Sequence, residues 1–192
     1  MKINFEELKK ANETINTTNI KGKEYAEVNQ RIKAFRMVYP MGTIKTELVS
    51  NENGICIFKA EVSILDDGEY IVLGTGFAYE KENSSFINKT SYIENCETSA
   101  VGRALGMAGF GIDTSVASAE EVQNAIMQQD GEKVISKTQA EALEKSIKNA
   151  MLDVNGTADE IIKKYGYNKI EEIKIKDYMA IVDEFRKIKG EK

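Results

Sequence analysis

Histidine is absent from the 192 residues, and with it the side chain that most often acts as a general base near neutral pH. Most hydrolytic mechanisms lose their usual nucleophile activator, and any zinc site would have to be built from carboxylates and lone thiols. Cysteine is scarce. Cys56 and Cys96 fall on apolar faces and outside paired metal-ligand spacing, which predicts buried free thiols in a reducing compartment. No apolar run approaches the roughly 20 residues that span a bilayer. The start MKINFEELKK is amphipathic and charged, unlike a signal peptide, so a cytoplasmic protein without membrane association is expected. Arginine is sparse, 4 beside 22 lysines, and proline occurs once.

Hydrophobic residues make up 42% of the chain, enough for a sizeable core, and the length accommodates one domain with a small appendage. The net charge of -5 sits badly with a phosphate-binding role, since affinity for nucleic-acid backbones comes largely from Lys and Arg. Its distribution is uneven. Residues 21–45 hold Lys21, Lys23, Arg31, Lys33, Arg36 and Lys45 against Glu24 and Glu27, a local balance of +4, whereas acidic residues gather at 66–69 and 80–82.

Along the chain, residues 1–20 read as an N-terminal arm: a short helix, then the polar loop NETINTTN. Tyr25, Val28, Ile32, Phe35 and Tyr39 recur at helical spacing over 24–39, and Pro40 with Gly42 ends that helix. Three strand-like runs follow at 43–50, 54–64 and 70–79, separated by turn signals at 51–54 and 66–68. In the second run Cys56, Phe58, Ala60, Val62 and Ile64 alternate with polar residues, so one face is buried and needs a helix to cover it. The spacing over 93–108 predicts that helix, and its interior glycines imply close approach of another backbone or a ligand. SAEE at 118–121 reads as a capping box that opens a further helix.

Residues 127–135 read as a linker, and 136–192 as a small all-α domain. Ser136 with Gln139, and Thr157 with Glu160, give it two more capping boxes. Its core is expected from Leu143, Ile147, Ile161, Ile162, Ile173, Ile175, Met179, Val182 and Phe185. The fold class is thus α+β, a three-stranded antiparallel meander packed by helices over 21–126, with a helical C-terminal domain carrying 13 basic and 13 acidic residues from 127 onward.

The order helix, meander, small-residue helix, together with the run Ala100-Val-Gly-Arg103-Ala104-Leu105-Gly106-Met-Ala-Gly109-Phe-Gly111, resembles the core of phage single-strand annealing proteins of the Sak type, in the Rad fifty-two-like superfamily. The likeness spans roughly 22–115. It implies a non-enzymatic recombination protein that binds single-stranded DNA and promotes annealing of complementary strands without ATP or any cofactor. It also implies a homo-oligomer, a ring or filament, in the host cytoplasm if the protein is of phage origin. Annealing requires a neutralised, extended backbone with free base edges, a task for a basic groove. Relatives cluster several basic residues on the helix where this chain has only Arg103.

Arg103 is accordingly the first candidate for a phosphate contact, its guanidinium matching phosphate geometry, with an ion pair to Glu97 or Glu94 as the alternative. Lys89 and Thr90 precede the helix, where backbone amides and the helix dipole favour an anion; a plain cap with an exposed lysine is the alternative. Arg31, Lys33 and Arg36 are candidates for a second groove wall, or for a solvated helix face. Tyr92, with Tyr39, Tyr79 and Phe86, offers stacking platforms for bases, although aromatics at such positions also serve as core. No metal site is expected. Glu94 with Glu97, or the 66–69 turn, would carry the enzymatic alternative, a metal-dependent nuclease. Two further readings are a single-strand-binding protein without annealing activity and a protein-interaction module. The C-terminal domain is a possible contact for a protein partner.

Overall fold

Backbone periodicity decides the architecture of the computed structural model, which describes residues 5–85, 87–149 and 157–189. Its chain divides into two units, residues 1–126 and 127–192. The first begins with α1 (Phe5–Glu13), a hairpin of β1 (Thr17–Ile20) and β2 (Lys23–Ala26), and α2 (Val28–Val38). Strands β3 (Thr43–Glu52), β4 (Ile55–Asp66) and β5 (Glu69–Lys81), a 3-10 turn at Ile87–Lys89 and α3 (Tyr92–Met107) follow. Next come α4 (Ala119–Gly131), α5 (Lys137–Asn149), α6 (Thr157–Lys164), a second 3-10 turn at Ile170–Glu172 and α7 (Ile175–Lys189). The fold is therefore α+β, an antiparallel meander packed by helices together with a C-terminal helical unit.

The sheet runs β3-β4-β5, all antiparallel, and the alternation along β4 sets its two faces. Cys56, Phe58, Ala60, Val62 and Ile64 point into a core shared with α2 and α3, through Phe35, Val38, Cys96, Ala100, Ala104 and Leu105. β5 meets α3 through glycine: a Cβ at Gly76 would sit 2.5 Å from both the Ala100 carbonyl oxygen and the Ala104 nitrogen. Gly74 lies equally close to Ala104 and Ala108. These residues therefore let a helix backbone lie directly on the strand. The opposite face of the sheet is open to solvent and exposes Phe77 at 57% and Tyr79 at 73%.

Some expectations change. The N-terminal stretch expected to be an arm puts Ala11 fully into the core, with Leu8 and Ile15 packed against it. Its polar loop is instead a strand: Thr17–Ile20 pairs with Lys23–Ala26 through Lys21 and Gly22, both with positive φ. That two-residue turn suits hairpin twist, and it delays the start of α2 from residue 24 to Val28. Where a linker was read over 127–135, the helix continues to Gly131, and Val134 then bridges Lys174.

Two capping boxes form as spaced. Glu121 N–H donates to Ser118 Oγ at 3.3 Å while Ser118 N–H donates to Glu121 Oε2 at 3.0 Å. Ser136 and Gln139 repeat the exchange at 2.9 and 3.3 Å. The Thr157 side chain of the third box lies outside the described residues. In the second core Ile181 is buried, while Ile175 and Met179 face solvent.

Candidate nucleic-acid interface

Arg31 is not a groove residue. The helical repeat that buries Val28, Ala34, Phe35 and Val38 also turns residue 31 inward, and the whole residue is 0% exposed. Its Nη1 donates to the carbonyls of Gly102 at 2.6 Å and Val116 at 2.7 Å, and its Nη2 to those of Ser115 at 2.5 Å and Ala117 at 3.2 Å. Burial pulls the guanidinium below its usual range, opposed by the nearby Glu121 and Glu120. A cation spent on four backbone acceptors cannot also meet phosphate.

The glycines of α3 make that burial possible. Gly106 faces the Arg31 guanidinium and the Val116 carbonyl, and Gly102 faces Val28 and Ser118. What approaches α3 closely is thus α2 and the 115–118 segment. Glu120 strengthens the same junction by accepting from the Val28 N–H at 3.0 Å, placing a carboxylate at the N-terminus of α2.

Arg103 lies one residue beyond this seam, its side chain 41% exposed. Its partner is neither Glu94 nor Glu97. Nη1 meets Glu121 Oε1 at 3.2 Å, the other oxygen of that carboxylate serving the α4 cap. Glu97 instead accepts from the Thr46 hydroxyl at 2.7 Å. Among the described residues, no group of three or more cysteine or carboxylate side chains is placed to hold a metal ion.

Lys89, Thr90 and Tyr92 are brought together at the N-terminal end of α3. Lys89 and Thr90 are exposed, and the Tyr92 hydroxyl donates to Asn51 Oδ1 at 3.1 Å, near the end of β3. The first-turn amides of a helix have no intrahelical acceptor, and the side chain of the N-cap residue Ser91 makes no capping hydrogen bond to them. A buried chain of amides holds the corner in place. Asn88 donates to Glu80 at 2.6 Å, Asn95 donates to Asn88 at 2.9 Å, and Asn124 donates to Asn95 at 2.9 Å. Nothing in the spacing of these residues announced the chain, because β5, the 3-10 turn at Ile87–Lys89, α3 and α4 supply its members.

Lys33 and Arg36 are exposed but lie elsewhere. Arg36 donates to the Gly42 carbonyl, beside the row where Thr43 pairs with Ser63, whereas Asn51 pairs with Cys56. Seven β4 residues separate those rows, about 23 Å at strand rise. The basic candidates therefore occupy opposite ends of the sheet. Of the aromatics, Tyr39 is core, stacked edge-on with Phe110 at 6.4 Å, while Tyr79 stands on the open sheet face. Phe86 lies outside the described residues.

A family model described as Slr1353 N-terminal dsRNA-binding domain-like matches residues 32–108, less than half of the chain. That span runs from α2 through the meander to the end of α3 and includes the Lys89–Tyr92 corner and Arg103. The likeness is to a nucleic-acid-binding fold and does not single out annealing proteins. The chain matches no curated protein and no solved structure. Among the described residues, no helix is long and apolar enough to cross a membrane.

Proposed function

We propose that this protein binds single-stranded DNA and promotes annealing of complementary strands as a homo-oligomer, without nucleotide hydrolysis. The observation that carries the reading is coincidence of span. The α-β-β-β-α stretch matched by the dsRNA-binding-like family includes residues 100–108 of the run that resembles the annealing proteins and stops short of its exit at 109–111. Within it, the exposed Lys89 and Thr90 stand at a helix N-terminus whose N-cap side chain makes no capping hydrogen bond, where backbone amides favour a phosphate. Arg103, its side chain 41% exposed, keeps an edge of its guanidinium open to a phosphate beside its ion pair with Glu121.

The family description favours one alternative specifically, binding of duplex RNA, which is read through backbone shape and 2′-hydroxyls. Fluorescence anisotropy with single-stranded DNA, duplex DNA and duplex RNA of equal length, run over a salt series, separates the two. The proposal expects single strands to bind best at about 50 mM salt, with affinity falling steeply as salt rises. Tighter binding of duplex RNA would replace it with the alternative. Mixing complementary labelled strands then distinguishes annealing from coating: duplex formation must be faster with protein than without.

A further inference from the structure

On the open face of the sheet, the register places four charges in a square. Lys45 on β3 lies opposite Glu61 on β4, and in the next row of that face Glu47 lies opposite Lys59. Their side chains border one shallow depression. Apolar groups flank the square on both sides along the strands. In the row beyond Lys59 stands Tyr79, paired with Ile57, and beyond Glu61 stands Val72, paired with Ser63. Leu65 and Tyr70 close that end, at 58% and 68% exposure.

The face is electrically balanced, so a polyanion laid across it would meet as many carboxylates as ammonium groups. A second copy meets a complementary surface. Consider a two-fold axis parallel to the plane of the sheet and perpendicular to the strands, passing about 5 Å above the centre of the square, midway between two sheets stacked at about 10 Å. It sets Lys45 over Glu47 of the other copy and Glu61 over its Lys59, so that all four contacts are between opposite charges. The same axis lays β5 on its own counterpart, bringing Val72 over Tyr79 and Thr75 over Phe77. Sheets stack in this aligned manner at about 10 Å. With three strands and six rows the face measures about 14 by 40 Å, which buries roughly 1,100 Å² over both copies, close to the lower limit for a specific interface.

We propose that the open face of the β3-β4-β5 sheet is a self-association surface, through which two copies pair face to face about a two-fold axis that runs between the sheets, parallel to them and perpendicular to the strands. Such a contact is isologous and closes at two subunits. It stands independently of the nucleic-acid reading.

Sedimentation velocity of the full chain from about 1 to 100 µM tests it, a range bracketing the dissociation constants accessible to an interface of this size. A concentration-dependent dimer is expected. Lys59→Glu sets like charges across the axis and should raise the dimer dissociation constant at least about tenfold. Adding Glu61→Lys to that variant restores opposite charges across the axis and should recover pairing, although each chain then carries like charges side by side. Thermal melts of both variants show that the fold persists. The proposal is overturned if the wild type stays monomeric at the highest concentration. It is equally overturned if Lys59→Glu leaves the dimer intact, if the double variant pairs no better than the single one, or if Lys59→Glu abolishes oligonucleotide binding by a monomeric wild type.

Discussion

Replacing Arg31 by methionine keeps most of the side-chain volume but leaves the carbonyls of Gly102, Ser115, Val116 and Ala117 without their donor. A partly buried acceptor left unpaired costs about 1–3 kcal/mol, so a loss of roughly 3–5 kcal/mol and a fall in Tm of about 10 °C are expected by calorimetry. Lys33→Met, on the exposed face of the same helix, should change stability by less than about 0.5 kcal/mol. Cys96 supplies a pH dependence. Burial first, and then the neighbouring Cys56, push its thiol up from 9.0 to about 12. The unfolded chain releases that proton at the lower value, so this stability is complete below pH 9 and is lost as pH rises toward 12. The urea midpoint should therefore fall between about pH 8 and pH 10.5, and Cys96→Ala should lessen the fall. At this scale the sequence was legible only in part. The apolar faces of Cys56 and Cys96 showed in the alternation of β4 and the spacing of α3. The inward turn of Arg31 did not, because it stands at the edge of the apolar stripe and its acceptors lie on segments more than 70 residues away.

Elements were easier to read than the contacts between them. Period-two alternation and turn residues marked the three strands, Pro40 marked the end of α2, and the spacing of small residues marked α3 to within one position. The β1–β2 hairpin escaped because its strands are four residues long and polar, leaving only Lys21-Gly22 as a signal. The glycines of α3 and β5 were conspicuous, but their purpose required the partner surface. Since a methyl group at Gly76 would lie 2.5 Å from the backbone of α3, Gly76→Ala should cost about 2 kcal/mol through overpacking, and Gly76→Val more. Thr75→Ala, on the solvent side of the same strand, is the control, and chemical denaturation measures all three. A Gly76→Ala variant as stable as wild type would mean that α3 can lift from the strand without loss.

As a whole, the molecule presents phosphate with no side chain whose ordinary pKa lies near neutrality. It has no histidine, the side chain that ordinarily titrates there, and its two thiols are buried. Oligonucleotide affinity should accordingly agree within about twofold between pH 6 and pH 8 at constant ionic strength, while depending steeply on salt. A drift of about fivefold or more in the anisotropy titrations would require an ionising group in the site that no side chain of this chain supplies at its ordinary pKa. The buried guanidinium of Arg31 bears on folding as well. Its acceptors stand 71 to 86 residues away along the chain, so latching α2 closes loops of that length. Contacts of such long range close late. Arg31→Met is accordingly expected to speed unfolding of the first unit and to leave its folding rate nearly unchanged, read from the two limbs of a chevron.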